Sequence, residues 1–403
     1  MYKVAEMNRR SLLRVGLLSL LPGVSLSERN AGAQIGGRSE GDLYEAKGLP
    51  GGGQLDVRLT VSPHGDPDTV EVWQRMKPYN LDSWVTEYAR VAEKNQRLAE
   101  QFEKEERKVT ASEYYLRAAN FYFNACWPQP ESDTRMLPTY NKMMEMANRA
   151  YKLVSPPFER VGIPYEGARL TAYFSKPRAG AAGQRFPAVY GYGGADSCIY
   201  GGGGGTFTAR GMAYLAVDGP GQGDALRINH IVSPPDSERV AKAVIDYLVT
   251  RPDVDPGRIG IVGTSLGGYN APRCASGDKR IKACAANSCA FSLREDIFDY
   301  FPPIQERMRW LIGAKDLTEA RKKIAEFTLE GRAQLIECPL LIGYSKDDRV
   351  MDPQGAFRLY KAAVNSTRDM VEGTGHNHPM RVGGPDPLRP PIIEDWMAKQ
   401  LLG

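Results

Sequence analysis

The chain has 403 residues, of which 42% are hydrophobic and 25% are charged, a composition typical of globular proteins. Its net charge is +4, and residues 1–33 carry most of this excess because they hold five basic and two acidic side chains. The nearly neutral remainder gives no electrostatic basis for binding nucleic acid or an anionic membrane, so we expect no nucleic-acid partner.

The six cysteines form no CxxC pair, and the four histidines are not interleaved with them at zinc-ligand spacing. We therefore predict no metal site, and we interpret the cysteines as small buried hydrophobic residues. A disulfide is the alternative if the protein is exported, because disulfides persist in oxidising compartments.

The first 33 residues resemble an export signal. Residues 8–14 read NRRSLLR and open a short apolar stretch, and residues 31–33 read AGA, a pattern that signal peptidase accepts. The arginine pair resembles a twin-arginine signal, which predicts a bacterial periplasmic or secreted protein cleaved after Ala33. The stretch is broken by Pro22 and is shorter than the roughly 20 apolar residues of a membrane span, so we expect no stable membrane anchor. A chance arginine pair in a disordered tail is the alternative.

A helical block follows a glycine-rich lead-in at residues 34–68. Residues 69–157 show helical periodicity, since Trp84, Tyr88 and Val91 recur at helical spacing. This periodicity therefore predicts a helical domain on the N-terminal side of the remaining chain.

Two further helices are predicted inside this block. Thr110 and Glu113 form a capping-box pattern that predicts a helix start, and a third helix is predicted from Leu137 to Leu153. We interpret the aromatic side chains of the block as core, with the alternative that some of them face a neighbouring active site.

Short apolar runs after residue 157 indicate β-strands. The predicted strands are Arg160–Tyr165, Leu170–Phe174, Phe186–Gly191, Met212–Val217, Arg258–Val262, Ile281–Ala286, Pro339–Tyr344 and Asp369–Glu372. The predicted helices are Ser237–Leu248, Leu266–Ala275, Gln354–Val364 and Ile392–Leu402. The first two strands flank Glu166-Gly167 and predict an antiparallel hairpin.

The alternation of strands and helices predicts a doubly wound, mainly parallel α/β sheet over residues 158–403. Residues 291–333 interrupt this alternation after the sixth strand, and we predict a cap insertion there.

Residues 263–268 read Gly-Thr-Ser-Leu-Gly-Gly between a predicted strand and a predicted helix. This is a G-x-S-x-G pattern in the context of a nucleophile elbow, where a sharp turn exposes the serine hydroxyl at the carboxyl edge of the sheet. We predict that Ser265 is the nucleophile.

A serine hydroxyl needs a base, and the base needs a carboxylate to fix its tautomer. His376 follows the last predicted strand and is the predicted base, with His378 as the alternative. Asp347 follows the strand Pro339–Tyr344 and is the predicted acid, with Asp348 as the alternative. The order serine, aspartate, histidine is that of α/β hydrolases.

The developing oxyanion needs backbone N–H donors. Leu266, directly after the nucleophile, is one predicted donor. The second is expected in the glycine-rich loop after the strand Phe186–Gly191, with Ala195 as the first choice and Gly194 as the next. The glycine-rich turn at residues 218–223 is interpreted as structural.

These residues resemble one group of α/β hydrolases. The group comprises 2,6-dihydroxypseudooxynicotine hydrolase, the fungal polyketide-shortening hydrolases and the fermentation-respiration switch esterase-like proteins. The resemblance covers about residues 70–403 and is carried by the loop at 193–197, the turn at 218–223, the elbow and the preceding helical block.

The resemblance implies that the helical block is a lid over the site, and that the substrate is a small-molecule ester or a ketone cleaved at the adjacent C–C bond. It also suggests an extra acidic residue at Glu295 or Asp296. The run Asp347–Val350 resembles prolyl-oligopeptidase-type peptidases, which keeps peptidase activity as an alternative.

We therefore predict two-step acyl transfer from Ser265, with carboxylic-ester hydrolysis ahead of C–C hydrolysis and without a metal or organic cofactor. A non-catalytic binding protein is the alternative from another class, although no member of the triad is missing from the sequence. A homodimer is compatible with the sequence, which does not fix the oligomeric state.

Overall fold

The computed structural model describes residues 66–77, 80–178, 180, 183–195, 197–201, 204–376 and 392–403. The predicted export signal, nearly all of the lead-in and the alternative base His378 lie outside these ranges. Within them, every helix is too short or too polar to cross a membrane.

In the described part of the chain, four helices precede the sheet. They are α1 Pro67–Arg75, α2 Leu81–Lys104, α3 Lys108–Cys126 and α4 Met136–Leu153. Helices α2, α3 and α4 pack consecutively and bury aromatic side chains such as Trp84, Tyr115 and Tyr140 between them. Their side chains form a hydrophobic core that continues onto one face of the sheet.

Two helices of this block begin at a residue whose side chain caps the helix N-terminus. The carboxylate of Asp66 accepts a hydrogen bond from the Thr69 N–H and caps α1. The side-chain oxygen of Asn80 accepts from the Ser83 N–H and caps α2 in the same way.

The predicted capping box at Thr110 and Glu113 is wrong. Helix α3 begins at Lys108, so Thr110 lies inside its first turn, and no side chain caps the N-terminus. The chain enters α3 through a tight turn in which Glu106 has a φ of +58°. The turn, rather than a side-chain cap, sets where the helix begins.

The described residues form an eight-stranded sheet in the order β1-β2-β4-β3-β5-β6-β7-β8. The strands are β1 Glu159–Tyr165, β2 Ala168–Ser175, β3 Phe186–Tyr192, β4 Ala213–Val217, β5 Val254–Thr264, β6 Ile281–Asn287, β7 Leu340–Ser345 and β8 Arg368–Gly373. Strand β2 pairs antiparallel with both β1 and β4, and the other neighbours are parallel.

The hairpin between β1 and β2 turns at Glu166 and Gly167, as predicted. Both residues have positive φ, +46° and +80°, which is the backbone of a two-residue turn that suits the twist of paired strands.

Helices alternate with the strands and cover both faces of the sheet. They are α5 Gly205–Thr208, α6 Gly223–Arg227, α7 Glu238–Thr250, α8 Leu266–Gly277, α9 Gln305–Leu311, α10 Leu317–Lys323, α11 Gln354–Ala362 and α12 Ile392–Leu402. Helices α7 and α8 pack on one face with Ile259 and Ile261 of β5. Helix α12 packs on the other face, where the next residue of β5, Val262, points. The fold is therefore the predicted mainly parallel α/β sheet.

The segment between β6 and β7 is an insertion of short helices, at the position predicted for a cap. It contains α9, α10 and a π-helical turn at Arg294–Phe298. Arg307 of α9 donates a hydrogen bond to the Trp127 carbonyl at the end of α3, and Arg309 pairs with Glu131 at 2.7 Å. The insertion therefore contacts the helical block beside the carboxyl edge of the sheet.

Candidate active site

Ser265 stands between the end of β5 and the first residue of α8. Its φ of +61° and ψ of −120° are a strained conformation for a residue with a side chain, which is typical of a nucleophile elbow. The elbow requires glycine at two flanking positions. A Cβ on Gly263 would lie 2.0 Å from the Gly267 carbonyl oxygen, and a Cβ on Gly267 would lie 2.1 Å from that of Tyr192.

His376 reaches Ser265 from the loop after β8. Its Nε2 lies 3.0 Å from the Ser265 Oγ. Because Nδ1 faces a carboxylate, Nδ1 carries the proton and Nε2 is free to accept the hydroxyl proton of the serine. The structure thus brings the predicted nucleophile and the predicted base into hydrogen-bond contact.

The carboxylate that faces His376 belongs to Asp348 and not to Asp347, which corrects the first choice made from sequence. The His376 Nδ1 lies 2.9 Å from Oδ2 and 3.1 Å from Oδ1 of Asp348. Asp348 is only 3% exposed, and its Oδ1 also accepts hydrogen bonds from the N–H groups of Val350 and Met351.

A turn directly after β7 explains why Asp348, and not Asp347, faces His376. The Asp348 N–H donates to the Ser345 carbonyl, which reverses the chain and directs the Asp348 side chain inward. Asp347 lies at the exposed tip of this turn. There its carboxylate accepts a hydrogen bond from the Gly375 N–H at 2.8 Å, so Asp347 holds the loop that carries His376.

The predicted oxyanion donors lie on two sides of Ser265. Leu266 is the first residue of α8, so its N–H has no partner in the hydrogen-bond ladder of that helix. Gly194 is adjacent to the serine, since a Cβ placed on it would lie 3.4 Å from the Ser265 Cβ. Ala195 follows it and is buried.

Gln222 orients this loop, and sequence reasoning missed it. Its side-chain NH₂ donates to the carbonyls of Gly193, at 2.6 Å, and Gly194, at 2.8 Å. Because C=O and N–H point in opposite directions across a trans peptide, the N–H groups of Gly194 and Ala195 point away from Gln222. One signal was available: Gln222 follows β4, whose carboxyl end shares the sheet edge with that of β3.

Asp218 lies beneath the same turn and is buried. Its two oxygens accept from the Ile199 N–H at 2.8 Å and the Asp224 N–H at 2.9 Å. Burial, and then the neighbouring Asp224, raise the pKa of Asp218 to about 7. The Tyr140 hydroxyl of α4 donates to Asp224 at 2.7 Å, which ties the helical block to this turn.

Glu295 and Asp296 were proposed from the resemblance as an extra acidic group. Arg358 pairs with both carboxylates. Asp296 also accepts from the N–H groups of Phe291 and Ser292, and its carbonyl accepts from the Asp352 N–H at 2.8 Å. These contacts hold the insertion against the loop that carries Asp348.

The six cysteines are free thiols. Four of them are buried, as the interpretation as core residues predicts, whereas Cys198 and Cys338 are partly exposed. No group of histidine, cysteine, aspartate and glutamate side chains in the described ranges is arranged to hold a metal ion.

The sheet order and the contact of Ser265, His376 and Asp348 at its carboxyl edge define an α/β hydrolase. A family model described as esterase FrsA-like matches residues 53–297, and the chain belongs to this family. The model of the prolyl oligopeptidase family matches residues 205–401.

Curated relatives are fungal hydrolases. The α/β hydrolase xenA of Xenoacremonium sinensis is 36% identical over 55% of this chain and 54% of its own length. The α/β hydrolase pydG of an Acremonium species is 32% identical over 73% of this chain and 78% of its own length. The chain thus spans about half the length of xenA and 78% of the length of pydG.

Among solved structures, that of 2,6-dihydroxy-pseudo-oxynicotine hydrolase is similar to this one. Its TM-score is 0.70 with 24% sequence identity, over 83% of this chain and 92% of that chain. At this identity, the similarity supports the shared fold alone.

Proposed function

We propose that the protein is a serine hydrolase that cleaves a carboxylic ester through an acyl-enzyme intermediate. The observation that supports this most directly is the connected series of contacts from the Ser265 Oγ to His376 and on to Asp348. Membership of the FrsA-like esterase family points to the same reaction class.

In the proposed first step, the Ser265 Oγ attacks the ester carbonyl carbon while the His376 Nε2 takes the hydroxyl proton. The oxyanion that forms is held by the Leu266 N–H and by an N–H of the Gly194 and Ala195 pair. The intermediate then breaks the bond to the alcohol, which leaves with the proton from His376.

In the second step, His376 takes a proton from water, and the resulting hydroxyl attacks the acyl carbon. The bond to the Ser265 Oγ breaks, the acid is released, and the serine recovers its proton. Asp348 stabilises the imidazolium in both steps, since its carboxylate is buried and already fixed by backbone donors.

Hydrolysis of a C–C bond beside a ketone is a second candidate, since the chain resembles a group that includes such enzymes. The same attack by Ser265 would then expel a carbon leaving group that takes its proton from His376. Peptidase activity is a third candidate, for which the match to the prolyl oligopeptidase family is the supporting observation.

The test compares wild type, Ser265→Ala and Ser276→Ala on 4-nitrophenyl acetate, butyrate and octanoate, with fluorophosphonate labelling of each protein. Ser276 lies at the other end of α8, where its hydroxyl donates to the Arg273 carbonyl, so its variant is the matched control. We expect Ser265→Ala to lose labelling and to lower kcat about 10⁴-fold or more, while Ser276→Ala keeps both.

Ester turnover that survives in Ser265→Ala would contradict the proposal. Labelling of wild type without turnover of any of the three esters would favour the C–C candidate over the ester hydrolase. Folding of both variants is checked by circular dichroism.

A further inference from the structure

Arg227 is a buried cation without a carboxylate in direct contact. It is the last residue of α6 and is 7% exposed. Its Nε is buried and has no hydrogen-bond partner, and the guanidinium forms no ion pair with a carboxylate of the described ranges. Since arginine keeps its charge in proteins, the site holds a positive charge that the fold leaves unpaired.

Aromatic rings from two other parts of the fold surround this guanidinium. Its carbon lies 5.3 Å from the ring centre of Tyr140 in α4 and 5.3 Å from that of Trp310 in α9. The thiols of Cys126, at the end of α3, and of Cys198 are further polar neighbours. The rings stabilise a cation weakly, and such contacts do not compensate for the desolvation of a buried charge.

The nearby carboxylates are engaged elsewhere. Asp224 accepts from Tyr140 and pairs with Arg160 at 3.0 Å. Asp218 accepts from two backbone N–H groups and acts on Arg227 only through its field. Neither carboxylate therefore forms an ion pair with the guanidinium, and the buried Nε keeps an unused donor.

The helix that carries Arg227 begins next to the residue that holds the loop beside Ser265. Helix α6 begins directly after Gln222, which holds the loop beside Ser265. At a rise of about 1.5 Å per residue, the Cα of Arg227 lies roughly 6 Å along the helix from Gly223. Arg227 thus stands between the helical block and the carboxyl edge of the sheet, where α/β folds bind their ligands.

We propose that Arg227 forms a subsite that binds a carboxylate carried by the substrate, so that the preferred substrates are esters with a free carboxylate on the acyl or leaving group. The planar guanidinium matches a carboxylate through two parallel hydrogen bonds. This proposal rests on the ester hydrolysis proposed above.

The test uses two esters of the same length. Mono-4-nitrophenyl glutarate carries a carboxylate where 4-nitrophenyl pentanoate carries a methyl group. We expect wild type to have at least a tenfold higher kcat/KM on the glutarate ester. Arg227→Met should lower that value about 10- to 100-fold, while the value on the pentanoate ester changes less than threefold. Arg160→Met, which removes a neighbouring exposed cation, is the matched control and should keep the preference.

An equal loss of kcat/KM on both esters in Arg227→Met would assign Arg227 a purely structural role and overturn the proposal. A wild type that cleaves both esters with equal kcat/KM would overturn it as well. If neither ester is cleaved and fluorophosphonate does not label Ser265, the proposed ester hydrolysis fails instead. Calorimetric titration of glutarate into wild type and Arg227→Met then tests the carboxylate subsite. Binding to wild type that is lost in the variant supports the subsite, and absence of binding to either protein overturns it.

Discussion

The carboxyl group of Asp348 accepts hydrogen bonds from Val350 and Met351 and faces His376, whereas Asp347 holds the Gly375 N–H from the exposed side of the same turn. Two adjacent aspartates therefore act on one histidine in different ways. One faces the imidazole itself, and the other fixes the loop that carries it.

This difference predicts unequal effects of the same substitution. Asp348→Asn should lower kcat about 10³- to 10⁴-fold, because an amide neither fixes the tautomer of His376 nor stabilises its charge. Asp347→Asn keeps an oxygen for the Gly375 N–H and should cost less than about tenfold. The measurement is kcat on 4-nitrophenyl butyrate for both variants, and a larger loss in Asp347→Asn would reverse the assignment.

Gln222 is predicted to act through the oxyanion loop. Gln222→Leu removes both donors to the carbonyls of Gly193 and Gly194, so the N–H groups of the loop lose their fixed direction. We expect kcat to fall about 10- to 100-fold with little change in KM, because the lost interaction matters when negative charge develops.

The affinity for an alkyl boronic acid, which forms a tetrahedral adduct with the serine, distinguishes this role from a general loss of structure. Its inhibition constant should rise in parallel with the loss in kcat. An unchanged inhibition constant beside a reduced kcat would contradict the positioning role of Gln222.

At the scale of elements, the turn after β4 connects the sheet to the helical block. Asp218 binds the Ile199 N–H of the preceding loop, and Asp224 binds Tyr140 of α4. The glycine at 223 is required there, since a Cβ would lie 1.9 Å from the Asp218 carboxylate. This turn, predicted to be structural, is thus also a contact between the helical block and the site.

The raised pKa of Asp218, about 7 in the folded state, predicts a dependence of stability on pH. A carboxyl whose folded pKa exceeds its unfolded pKa of about 4 stabilises the fold fully below pH 4, and this contribution is lost as pH rises to about 7. Asp218→Asn removes the titration, so the stability of the variant relative to wild type should increase over this range, by an amount on the order of a few kcal/mol.

Urea unfolding of both proteins at pH 4.5, 6 and 8 measures this difference. A difference between the two proteins that stays constant across the three pH values would show that Asp218 does not titrate in this range.

In the whole molecule, the sheet brings together candidate catalytic groups that are far apart in the sequence. Ser265, Asp348 and His376 follow β5, β7 and β8, and these parallel strands end at one edge. The helical block and the insertion contact each other through the ion pair of Arg309 with Glu131. Export through a twin-arginine signal stays a prediction, and the curated relatives named above are fungal.

Local sequence patterns were enough to predict the fold class, the order of the eight strands and the nucleophile elbow, but not the short helices α5 and α6. These depend on local patterns, namely the periodicity of apolar residues and the glycines that a strained serine turn requires. Prediction failed where neighbouring residues compete for one role. Asp347 and Asp348 have the same chemistry, and only the turn closed by the Asp348 N–H on the Ser345 carbonyl decides which one points inward.

The contacts of Gln222 and Arg227 are visible only in the folded chain. Neither lies in a pattern that specifies a site, because each acts on groups far away in sequence: Gln222 on Gly193 and Gly194, and Arg227 between Tyr140 and Trp310. A hydrogen bond or an unpaired buried charge exists only once distant segments pack together, and the packing of the helical block and the insertion on the sheet edge places these side chains.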